Sequence, residues 1–261
     1  IEYFRFGINI ERFNTLNPGS DGYSDRITLR NSIIKHNVGQ GWMGSCDNCI
    51  IENNYFEDNG FGFPNSTLNR NHNIYYSSTK DSNGGIIRNN LLYKSAVAAN
   101  GSCQGPPLVV HGNHTNLLIE NNTILEDIGK AGAGCWGLVA DQGGSPDRFD
   151  KLIIRGNKII NTGGISLGCT TCQNAIIENN VIVQEQNFSG IAISIPTKTL
   201  GDNSPGDADT FNVSIRYNSI FINSSKQFTG ISVARDPSTG PAPNSTIFGN
   251  LISFTNSNTD I

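Results

Sequence analysis

The residues best placed for proton chemistry are His111 and Asp141, and their placement follows from a set of short strands led by Gly or Pro. Segments of this kind include Pro107-Leu-Val-Val110, Gly137-Leu-Val-Ala140, Gly164-Ile-Ser-Leu167 and Gly190-Ile-Ala-Ile193. Three residues after the first apolar position, an outward column is predicted: Ser45, Ser77, His111, Asp141, Gly168, Ser194, Ala234. Parallel strands lie about 4.8 Å apart, so His111 and Asp141 on adjacent coils are expected to form a carboxylate–imidazole hydrogen bond. The neighbouring column reads Met43, Tyr75, Val109, Val139, Ser166, Ala192, Ser232, which sets Tyr75 diagonally beside His111. A histidine so held can take the proton α to a uronate carboxyl while Tyr75 protonates the leaving oxygen, a β-elimination. That reaction needs a cation near the substrate carboxylate, and Lys80 is the nearest candidate. The plainer alternative is an ordinary solvated pair.

Other side chains suit binding. His72 stands near a strand entrance, where it either meets substrate or bonds a loop. Trp136 and Trp42 are flat surfaces for sugar stacking, or packing. Asp141 with Asp147 or Asp150 would give the carboxylate pair of a glycoside hydrolase if about 5–10 Å separated them. The run Asp202-Asn-Ser-Pro-Gly-Asp207-Ala-Asp209 offers oxygen ligands of the type calcium takes, without the EF-hand pattern. An acidic turn is the simpler account, and no cofactor is otherwise expected.

What must position these residues is a repeat. Its pattern is apolar, charged, any residue, Asn, any residue, apolar, as in Ile51-Glu-Asn-Asn54-Tyr-Phe56, Ile87-Arg-Asn-Asn90-Leu-Leu92 and Ile119-Glu-Asn-Asn122-Thr-Ile124. Anchors fall at 32 (a serine), 54, 90, 122, 157, 180, 218 and 250, the shortest steps being one bare coil and the longer ones coil plus loop. Such self-similarity specifies a solenoid. Three before each anchor, and two after, every residue is apolar, so both columns are expected to face a core. The anchor Asn should stack on its neighbours, amide to amide. Two before the anchor the residues alternate Arg30, Glu52, Arg88, Glu120, Arg155, Glu178, Arg216, a ladder of opposite charges that fixes register. The long excursions at 57–72, 93–107, 126–136 and 196–212 are where recognition should lie.

Six cysteines include Cys46-Asp-Asn-Cys49 and Cys169-Thr-Thr-Cys172. The two pairs are expected about five coils, roughly 24 Å, apart, too far to share a zinc ion. Two local disulfides and a Cys103–Cys135 cross-link are expected, with an oxidising compartment. Net charge is −4, and neither half carries the basic stripe that nucleic acid requires. No apolar run is long enough to span a membrane. The chain opens at Ile1 inside a strand-like segment and reads as one all-β domain over 1–261, part of a longer polypeptide.

Across nearly its whole length the chain resembles the pectate-lyase-like superfamily of right-handed parallel β-helix proteins. Asn71-His-Asn-Ile-Tyr-Tyr-Ser-Ser78, followed by Gly85-Ile-Ile-Arg-Asn-Asn90, is similar to a signature of secreted β-helix proteins, with Asn73 in place of a glycine. The resemblance implies a fold of about eight coils and a groove for an extended glycan. It leaves three functions open: an extracellular polysaccharide lyase, epimerase or depolymerase; a glycan-binding or tailspike-like surface module; and a structural stalk that assembles as a trimer or filament.

Overall fold

The computed structural model describes residues 1–4, 6–10, 25–60, 72–77, 81–95, 105–132, 134–141, 143, 147–197, 207–234 and 243–255. These residues contain strands and turns and no helix, so none forms a helix able to cross a membrane. The strands stack into four parallel sheets, three of eight strands and one of four, consistent with a parallel β-helix or solenoid. In chain order within a coil, sheet 1 contributes strands such as Ile74–Ser77 and Leu108–His111, and sheet 2 short strands such as Ser82–Asn83 and Asn113–Thr115. Sheet 3 follows with Ile86–Arg88 and Leu118–Glu120, and sheet 4 with Leu91–Ser95 and Thr123–Leu125. Every neighbour within a sheet is therefore one coil away in sequence.

Both apolar columns face inward. Ile51, Ile87, Ile119, Ile154, Ile177 and Ile215 on sheet 3, and Phe56, Leu92, Ile124, Ile159 and Ile182 on sheet 4, are 0% exposed. Burying one such side chain contributes about 1.5–3 kcal/mol. Ile247, in the last described rung, is 50% exposed because no described rung lies beyond it. The turn between sheets 3 and 4 contains the Asn stack. Asn122 Oδ1 accepts from the backbone N–H and the amide of Asn90, each at 3.0 Å, while its own amide donates to Asn157 Oδ1 at 3.0 Å and to the Ile87 carbonyl at 2.9 Å. The same pattern runs from Asn54 to Asn250.

The position before each anchor is not free, as the sequence pattern suggested. Asn31, Asn53, Asn89, Asn121, Gly156, Asn179, Tyr217 and Gly249 all have φ between 52° and 65°. This left-handed region penalises a side chain with Cβ, and Asn and Gly tolerate it best. A second, unforeseen stack supports the turn from sheet 4 toward sheet 1. Asn37 donates to Asn59 and Asn59 to Asn73, each at 2.8 Å, and Asn73 closes the run on the Lys94 carbonyl.

The charge ladder is in register: Glu52 pairs with Arg88, Arg88 with Glu120, Glu120 with Arg155 and Glu178 with Arg216. It is not uniform. Close ion pairs form as 52–88 (2.7 Å), 120–155 (2.8 Å) and 178–216 (2.7 Å), whereas Arg88 to Glu120 is 4.0 Å.

Two disulfides are present, Cys46–Cys49 and Cys169–Cys172. The first closes the corner leading to Ile50–Glu52; the second joins sheet 1 to sheet 2. The separation expected from sequence is corrected here. The path Trp42, Ile74, Leu108, Leu138, Leu167 takes four register steps, not five, or about 19 Å. Cys135 is disulfide-bonded, and its expected partner Cys103 lies outside the described residues.

Candidate functional site

Sheet 1 is the face where chain insertions gather. Loops of varying length lead into its strands from sheet 4 and away from them toward sheet 2, whereas two residues join sheet 3 to sheet 4 in every coil. Its outward side is therefore the candidate floor of a binding site.

The register of this sheet differs from the sequence expectation beyond Asp141. Leu138 pairs with Leu167, not Ile165, and Val139 with Gly168. One outward column is Met43, Tyr75, Val109, Val139, Gly168, Ser194, Ser232. Thr170, not Gly168, follows Asp141, since its N–H donates to the Ala140 carbonyl at 2.9 Å. The slip arises because strict alternation fails at Gly137. A Cβ there would run into Thr162 and Ile159, so that position faces the interior, and Ser166 and Ala192 are buried.

On this floor three rings lie in a row. His72 and Tyr75 stack with centroids 5.3 Å apart, and Tyr75 meets His111 at 5.4 Å with planes tilted 57°. His72 is buried, and its Nδ1–H donates to the Pro106 carbonyl at 2.8 Å. Burial depresses its pKa to about 3, with a further lowering from His111 set against the raising effect of the Pro106 bond. Of the two roles expected for His72, the bond to a loop is the one present, and the ring lies against Tyr75.

His111 Nδ1 lies 2.6 Å from the backbone carbonyl of Asp141. A carbonyl only accepts, so Nδ1 carries a proton, and in the neutral tautomer this fixes the lone pair on Nε2. Nε2 has no partner among the described residues. The expected imidazole–carboxylate bond is therefore corrected to an imidazole–backbone bond. The Asp141 carboxylate, nearly buried, accepts from the Thr170 hydroxyl at 3.1 Å.

Asp147, weighed from sequence as a possible partner of Asp141 in a carboxylate pair, instead bonds backbone beside His111. Asp147 is fully buried, and its carboxylate accepts from the N–H of Gly112 and, at 2.8 Å, from that of Gly143. Gly143 lies against the imidazole so closely that a Cβ there would fall 2.6 Å from His111 Cγ. Asp147 thus ties the backbone on both sides of the ring. Desolvation raises its pKa, opposed by those two N–H groups and by His111, and assisted by Asp207. Asp207 Oδ1 accepts from the Asp147 N–H at 2.8 Å. Asp150 is on sheet 2, paired with Arg148 at 3.6 Å.

Trp136 begins the sheet 1 strand Trp136–Ala140 and is partly exposed. Trp42 is fully buried, with its indole N–H donating to the Gly44 carbonyl at 2.7 Å, and serves packing. Lys80 and Asp202 lie outside the described residues. Among the described residues no three His, Cys, Asp or Glu side chains converge as a metal site. His114, not singled out from sequence, is buried between Tyr76 and Phe149 and bonds the His111 carbonyl at 2.8 Å.

No protein-family model, no curated protein and no solved structure matches this chain.

Proposed function

We propose that this chain is an extracellular, right-handed β-helix of the pectate-lyase-like kind that acts on an extended polysaccharide laid across the outward face of sheet 1. The observation that carries the reading is the fixed tautomer of His111. The imidazole, held through Nδ1 and with no partner on Nε2 among the described residues, stands against the ring of Tyr75. That is the arrangement a general base and a neighbouring acid need. His111 Nε2 takes the proton α to a uronate carboxyl, and the Tyr75 hydroxyl protonates the departing glycosidic oxygen. Lys80 remains the candidate for the substrate carboxylate. Two disulfides agree with an oxidising compartment.

One observation favours a second reading, a non-catalytic glycan-binding surface. The imidazole leans on a backbone carbonyl, not on the Asp141 carboxylate, so no buried anion on that atom strengthens it as a base. Variants separate the two. Under the enzymatic reading, His111→Gln and Tyr75→Phe each lose about 10²-fold or more in turnover while circular dichroism and glycan binding persist. Saturable binding with no product from the wild type supports the second reading instead.

A further inference from the structure

Sheet 3 is joined to its neighbours by short turns. Two residues join each of its strands to sheet 4, and two join sheet 2 to it wherever sheet 2 is present. One outward column is aliphatic and partly exposed in five consecutive rungs: Ile50, Ile86, Leu118, Ile153 and Ile176. The other is the charge ladder, running from Arg30 to Arg216 and ending opposite Phe248, which is 40% exposed. The ladder stabilises register within the chain, but that task requires no solvent-facing aliphatic column beside it. Contiguous exposed apolar surface marks a site of association.

We propose that this face pairs with the same face of a second copy, the two long axes antiparallel. A two-fold axis lying in the interface and running along the strands sets the first rung against the eighth, the second against the seventh, and so inward. Every ladder row then meets its opposite. Glu52 faces Arg216, Arg88 faces Glu178, and Glu120 faces Arg155. Four of the five aliphatic positions match as well, Ile86 on Ile176 and Leu118 on Ile153, while Ile50 meets Ser214. Arg30, which has no ion-pair partner among the described residues, meets the Phe248 ring, a cation–π contact. A two-fold axis along the solenoid reverses the strand direction, so that each charge meets an aliphatic side chain, Arg88 on Ile86, and no ion pair crosses the interface. Seven alternating charges, with Phe248 in the eighth rung, thus select the antiparallel pair. Eight strands about 4.8 Å apart and three residues wide cover about 400 Å² per copy, half of an ordinary interface. The pair is accordingly weak, with a dissociation constant in the micromolar range or above.

The test inverts the ladder. A variant carrying Glu52→Arg, Arg88→Glu, Glu120→Arg, Arg155→Glu, Glu178→Arg and Arg216→Glu keeps alternation from position 52 to position 216 and adds one like pair, position 52 beside Arg30. Fluorescence energy transfer between labelled copies should show wild type pairing with wild type and the inverted variant with itself. Mixed pairs should be at least about ten-fold weaker, because every row becomes like on like. Leu118→Lys in the wild-type chain should abolish pairing with its melting temperature unchanged, and decides the matter should the inverted variant not fold. Sedimentation as a monomer throughout, or mixed pairs as strong as matched ones, overturns the proposal.

Discussion

The Nδ1 atom of His111 bonds the backbone carbonyl oxygen of Asp141 at 2.6 Å, while the carboxylate of the same aspartate turns to the Thr170 hydroxyl. The main chain thus orients the imidazole. Asp141→Asn should reduce turnover on a cleaved polysaccharide by less than about ten-fold, against about 10²-fold or more for His111→Gln. Equal losses in the two variants contradict a backbone-held base.

The Asn stack makes a sharper statement about stability. Removing the Asn122 side chain deletes the acceptor for the Asn90 N–H and amide and the donor to the Ile87 carbonyl, leaving buried polar groups unpaired. Asn122→Ala should cost about 3 kcal/mol or more. Asn250→Ala, at a partly exposed end of the stack, should cost markedly less. Denaturant titration of both variants reads the difference.

At position 217 the left-handed turn holds a tyrosine, 54% exposed, where neighbouring coils use Asn or Gly. Tyr217→Asn relieves that conformation at the loss of one edge contact with Phe248. A gain of about 0.5–1 kcal/mol is expected, or about 1–4 °C in Tm. A lower Tm shows that the ring contact outweighs backbone strain.

Acid should weaken the fold through its buried histidines. Burial lowers the pKa of His72 to about 3 and of His114 to about 4 from 6.5. The unfolded chain therefore takes protons first as pH falls through 6.5, and stability declines until the folded-state values are reached. Near pH 5 each histidine costs about 2 kcal/mol. The raised pKa of Asp147 acts oppositely, favouring the fold as that carboxyl protonates. Melting curves at neutral pH and about pH 5 should differ by several degrees, and His114→Gln should reduce the difference. A Tm independent of pH across this range contradicts neutral burial of both rings.

Cys169–Cys172 closes a loop of sequence separation 3. For so short a loop the chain-entropy account assigns about 2 kcal/mol. Replacing both cysteines with Ser should lower stability by that amount or more, since both positions are fully buried; an unchanged midpoint contradicts it.

The solenoid was legible because its signals are periodic and local. The core columns from Leu29 to Ile247 and from Ile34 to Ile252, the Asn anchors and the alternating ladder each need only counting from one turn. Sheet 1 was harder. Its strands follow loops of unequal length, and the inward turn at Gly137 and Ser166 breaks the two-residue alternation, displacing Gly168 and Ser194 by one outward position. The adjacency of His111 and Asp141 survived because it spans a single step. Which oxygen the imidazole meets depends on the 141–147 loop, and no pattern encodes that. The Asn37–Asn59–Asn73 stack escaped because its members follow no constant spacing.

The account centres on sheet 1 as a polysaccharide-processing face. Incubating the intact wild-type protein with a panel of acidic and neutral polysaccharides, while following new reducing ends and the ultraviolet absorbance of unsaturated sugars, tests this most directly. The account predicts an acidic polymer that is shortened with unsaturated ends, and loss of that product in His111→Gln. A panel in which no polymer is either cut or bound contradicts it.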